Sequence, residues 1–174
     1  MRNQRGFALL DLIFVCGIIG VLTSMALPRL TMAKSAAGTA SAIGSMRAIN
    51  SAQLTFALTC GGGFYAPDLP TLGMAPAGSR EPFIGAGLGD ASTVTKSGYV
   101  IQITATPFAG APASCNGLAA GAAGRGYRGA ADPTDKDNPR HFAINADGLI
   151  FEDIAPLFAA MPELGPPPAG HPLR

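Results

Sequence analysis

The chain has 174 residues, with 12 Lys and Arg against 11 Asp and Glu and a formal charge of +1. So even a balance leaves no electrostatic footprint for nucleic acid or for an anionic membrane surface as partner. Aromatic residues are only 7%, Trp is absent, and 23 Gly and 15 Pro punctuate the sequence, which leaves room for one small, loop-rich domain beyond any anchor.

The first predicted element is apolar. From Phe7 to Leu27 run 21 residues in which Asp11 is the only charge. As a helix this stretch is roughly 31 Å long, about the thickness of a bilayer's hydrocarbon core. A carboxylate at the centre of such a helix costs about 2.5–3.5 kcal/mol, less near an end, and an intramembrane acid is by default a functional group with a partner. Before the run, Met1 to Gly6 is short and polar, and Arg2 and Arg5 make it positive. A secretory signal peptide cleaved after Ser24-Met25-Ala26 has a similar outline, and so does a plain N-terminal anchor. Neither accounts for Asp11.

The abrupt Gly6–Phe7 boundary, Asp11 and Pro28 at this spacing resemble the N-terminal motif of the type IV pilin and pseudopilin family. The resemblance covers about the first 30 residues. It implies cleavage after Gly6 by the prepilin peptidase on the cytoplasmic side and methylation of the new Phe7 amine. Asp11 stands where the family normally has glutamate, and it would pair with the Phe7 amine of another subunit to set the register of a helical stack. Pro28 corresponds to the proline that ends the first membrane-embedded stretch, where the helix could kink. The implied fold is α+β: a long N-terminal helix, half membrane segment and half spine, packed on a small antiparallel β-sheet. The implied partners are copies of this chain or related pilins, the peptidase-methylase, an inner-membrane assembly platform, and the bacterial inner membrane before assembly. The end product would be an extracellular or periplasmic filament. Loss of the leader removes Arg2 and Arg5, leaving 10 basic against 11 acidic residues, or −1.

After Pro28 the composition favours helix through about Leu58, so the spine half is assigned to 29–59. Ile43, Met46, Ile49, Ala52 and Phe56 form one apolar stripe, extended sideways by Leu54 and Leu58, on which a sheet should pack. Gly38 and Gly44 each weaken the helix by up to ~1 kcal/mol, and either would allow close approach of a neighbour. Cys60-Gly61-Gly62-Gly63 ends it. A loop-rich sheet domain over 60–154 should follow. Gly85-Ala-Gly-Leu-Gly89 lacks the Gly-Lys-Ser/Thr ending of a phosphate loop and reads as an ordinary loop. Gly98–Thr106 alternates with period two and predicts a strand. The stretch 107–140, poor in large apolar residues, reads as a long loop. His141–Ala146 and Leu149–Asp153 flank Asp147-Gly148, a strong hairpin signal. A three-stranded antiparallel sheet is therefore expected, followed by an irregular or disordered Pro-rich tail over 155–174.

Three cysteines divide by environment. Cys16 lies in the apolar run as a small hydrophobe, while Cys60 and Cys115 lie in the exterior part, where a disulfide is expected and free thiols are the alternative. Asp132, Asp135 and Asp137 are the one acidic cluster, and hard oxygen ligands suit calcium. The cluster lacks the EF-hand glycine, and Ala146 stands where the bidentate Glu belongs. A calcium site in this general part of the chain is implied only by resemblance to the major pseudopilins, and a solvated turn is the expectation. His141 reads as a strand residue and His171 as a tail residue; Ser, Cys and His form no nucleophilic arrangement. Neither cofactor nor enzymatic activity is expected. Three functions follow: a pilus-like filament subunit first, a pseudopilin of a type II secretion system second, and a membrane-anchored exterior binding module that never polymerises third.

Overall fold

The computed structural model describes residues 5–136 and 138–173. The chain divides into two units, Met1–Ala37 and Gly38–Arg174. Helix α1 (Arg5–Thr59) contributes to both. It ends where the sequence turns to Cys60-Gly-Gly-Gly: the carbonyl of Phe56 accepts the N–H of Cys60 (2.9 Å) and of Gly61 (2.7 Å), and that of Ala57 accepts Gly63 N–H (2.8 Å). Gly62 and Gly63 take φ of +60° and +91°, conformations that β-carbon-bearing residues resist, so the glycines reverse the chain while capping the last carbonyls.

Within the second unit, α1 presents Ala42, Met46, Ile49, Ala52 and Phe56 to the core, all buried, with Ile43 half-buried beside them. The predicted stripe is thus the buried face, with one correction. Leu54 and Leu58 do not extend it: they stand 51% and 75% exposed. Gln53, by contrast, is fully buried, because its amide donates to the carbonyl of Ala66 (2.9 Å) and accepts the Ala66 N–H (2.8 Å). That pair of bonds holds the chain leaving the helix against its own last turns. A short helix α2 (Leu69–Gly73) follows, capped by the Asp68 carboxylate on the N–H (2.9 Å) and hydroxyl (2.6 Å) of Thr71.

The sheet has six strands rather than three, each antiparallel to its sequence neighbours: β1 (Thr93–Lys96), β2 (Tyr99–Thr104), β3 (Arg128–Pro133), β4 (His141–Asn145), β5 (Ile150–Asp153) and β6 (His171–Pro172). The strand within Gly98–Thr106 and the hairpin around Asp147-Gly148 appear as β2 and β4–β5. Three strands escaped the sequence reading. β3 is Arg-Gly-Ala-Ala-Asp-Pro, with low strand propensity, yet it lies between β2 and β4. Its small residues are required by its neighbours: Gly129 pairs with Ile103 on one side and Ile144 on the other, and a Cβ there would meet Ile103 Cγ2 at 2.9 Å. Large residues on β2 and β4 fill the space that β3 leaves.

Pleating sends alternate residues to opposite faces. Tyr99, Ile101, Ile103, Phe142, Ile144 and Ile150 pack with the α1 stripe, while Ala130, Ala143 and Phe151 form a second cluster on the other face. That face is closed by the segment between β5 and β6, whose Leu157 and Met161 are buried against it. The Pro-rich tail is irregular as expected, but it is not disordered: it is a strap. Asn145 Nδ2 donates to the carbonyls of Pro162 (3.2 Å) and Gly165 (2.6 Å), and Thr106 donates from N–H and hydroxyl to Glu163 Oε1 (2.6 and 2.7 Å). Asn145 itself is fully buried. β6 then pairs with β5 through Phe151↔Pro172 and Glu152↔His171.

The turn joining β1 to β2 explains one helical glycine. Ser97 and Gly98 have φ of +51° and +82°, the signs a two-residue hairpin turn of type I′ needs. Ser97 lies on α1, where the Ser41 hydroxyl donates to Ser97 Oγ (2.9 Å), and a Cβ on Gly38 would stand 2.6 Å from the Ser97 carbonyl oxygen. Gly44 has nothing within 4 Å of that position. Helix propensity alone favours alanine at both sites by up to ~1 kcal/mol. We expect Gly44→Ala to raise stability by about 0.5–1 kcal/mol, whereas Gly38→Ala should lower it by about 1–3 kcal/mol as helix and turn are forced apart. Denaturant midpoints of the two variants check this; equal shifts would remove the contact argument.

Candidate functional site

The stretch that sets this molecule apart is the first part of α1. Every residue from Leu9 to Leu27 is exposed, Leu10, Phe14, Val21 and Met25 at 73, 66, 58 and 67%. Helical order comes from the sequence: leucine and alanine are strong helix formers and proline is absent between Phe7 and Leu27. The helix is long and apolar enough to cross a membrane. Its polar groups are satisfied locally. Thr23 donates to the carbonyls of Ile19 (2.9 Å) and Gly20 (3.0 Å), and Ser24 to that of Val21 (2.8 Å). Asp11 is the one charge of this stretch, and it is exposed.

Gly6 and Phe7 fall in the opening turns of α1, and Pro28 lies within it without interrupting the helix. The side chains of residues 5–8 and of Pro28 are outside the described structure, as are residues 1–4. Because proline has no N–H, the Ser24 carbonyl four residues earlier has no helical donor from it.

No family model, curated protein or solved structure matches the chain.

The remaining candidates lie in the sheet unit. Cys60 and Cys115 form a disulfide with a Cα separation of 4.9 Å, tying the end of α1 to the β2–β3 connection. Cys115 also receives a donor role there, its N–H reaching the Cys60 carbonyl (3.2 Å). Cys16 is a free, exposed thiol on the apolar helix. Asp132 is a β3 residue rather than part of a solvated turn, and its Oδ1 lies 2.7 Å from His141 Nδ1 on β4. Asp135 follows in the turn, and Asp137 lies outside the described residues. Among the described residues no three His, Cys, Asp or Glu side chains converge on a point that could hold a metal. His171 pairs on the sheet edge opposite Glu152.

Three groups, Tyr127, Arg140 and Glu152, have displaced acidities. The Tyr127 phenol is pushed well above its ordinary value by burial, with Tyr65 adding to the shift, and its hydroxyl donates to Asn50 Oδ1 (2.9 Å) on α1. It is a neutral structural bond between helix and β3 connection. Arg140 grips Glu152 through Nε (2.5 Å) and Nη2 (2.9 Å), and this hydrogen bonding holds the Glu152 carboxyl below its usual range. A depressed carboxyl stabilises the fold above its unfolded pKa, and that contribution is lost as pH falls through the folded value. The pair is partly exposed, so Glu152→Gln should cost about 0.2–1 kcal/mol at neutral pH and remove that share of the acid sensitivity, measurable by denaturation at pH 7 and pH 3.

Sequence reasoning found Asp11 and the cysteines but missed Gln53, Asn116 and Asn145. Asn116 Nδ2 donates to the carbonyls of Thr71 (2.7 Å) and Met74 (3.3 Å), pinning the disulfide loop to α2. These amides belong to no motif, and their partners are backbone carbonyls far along the chain, so no spacing rule points to them.

Proposed function

We propose that this chain is a type IV pilin-like subunit, processed after Gly6, methylated at Phe7 and assembled into a filament through the apolar part of α1. The observation that carries the reading is the exposed apolar stretch Leu9–Leu27 of α1 with a single carboxylate in it, Asp11, four residues after the proposed new N-terminus. Cleavage creates a positive amine at Phe7. When helices from several copies bundle, the Asp11 of one meets the amine of another, and each buried charge gains an opposite and hydrogen bonds. Such a pair acts mainly on register, while dispersion and close packing among the apolar side chains replace lost lipid contacts. The sheet unit, borne on the second half of the helix, would form the filament's outer surface. A short secretion piston and a long pilus use the same physics, and recovery of long surface fibres distinguishes them.

The test is intact-mass and N-terminal analysis of protein recovered from membranes or sheared surface material. We expect a mature chain starting at N-methylated Phe7. A start near Leu27 would reveal a signal peptide and a secreted domain, and an intact Met1 an unprocessed anchor; either result overturns the filament reading.

A further inference from the structure

We draw no further inference here: the strongest candidate, the set of exposed leucines on the surface of the sheet unit (Leu54 and Leu58 on α1, Leu149 at the β4–β5 turn and Leu164 on the strap), carries nothing because nothing in the structure shows what covers them.

Discussion

If the chain assembles as proposed, Asp11→Ala should abolish filament assembly while leaving the sheet unit folded. In that assembly, removing one member of a buried ion pair strands the other charge, at a cost of about 3–5 kcal/mol, so subunit association should weaken by roughly two to four orders of magnitude. Asp11 belongs to the first unit of the chain and is exposed. Thermal unfolding monitored through the sheet's tyrosines should therefore be unchanged. The measurement is the yield of sheared fibres beside the amount of protein in the membrane. The competing expectation has the opposite sign: in an anchor that never polymerises, loss of an intramembrane acid eases insertion by up to ~2.5–3.5 kcal/mol and harms nothing. Asp11→Glu separates the two again. It restores the longer acid usual in the family that the N-terminus resembles, and fibre yield should be kept or raised.

Phe56→Ala should bring the largest loss of stability in the sheet unit. Phe56 is fully buried, meets the Phe83 ring edge-on at a centroid distance of 5.4 Å, and leaves so little room that a Cβ on Gly61 would strike its ring. Truncating a phenylalanine in such a site costs about 3–5 kcal/mol, a large part of the 5–15 kcal/mol that holds a domain together. Urea unfolding of the full chain in detergent, followed by near-ultraviolet circular dichroism of Tyr65, Tyr99 and Tyr127, reports the sheet unit without the helical signal of the apolar segment. Leu58→Ala, two residues from Phe56 but 75% exposed, should shift the midpoint by no more than about 0.5 kcal/mol. A similar loss in both would mean that the buried stripe is not what holds helix to sheet.

What the residues disclosed in advance follows from how local each signal is. The α1 stripe repeats at helical spacing, Tyr99–Ile103 alternates, and Asp147-Gly148 supplies a turn whose glycine takes φ +79°; all are patterns within a few residues. β3 has no such pattern, since Gly129 fits the space between Ile103 and Ile144 and Ala131 that between Ile101 and Phe142, all distant from it in sequence. The strap behaves likewise: Leu157, Phe158 and Met161 lie in a short apolar run between Pro156 and Pro162, and the alanines of β3 and β4 beside Phe151 make places for them. In the candidate site Asp11 was legible because a charge in an apolar run contradicts its surroundings. The Asp132–His141 contact was not, because antiparallel pairing of two strands nine residues apart had to be known first.

The strand order β1-β2-β3-β4-β5-β6 has a kinetic consequence. Each strand pairs with the one made just before it, so no pairing must wait for a distant segment and the loop-closure entropy of most steps is small. The longest closure within the sheet is the β2–β3 connection, and the Cys60–Cys115 bond ties a point within it to the end of α1. A chain emerging with its N-terminal helix held at one end could add its strands in the order of their synthesis, keeping a single growing edge exposed at any moment.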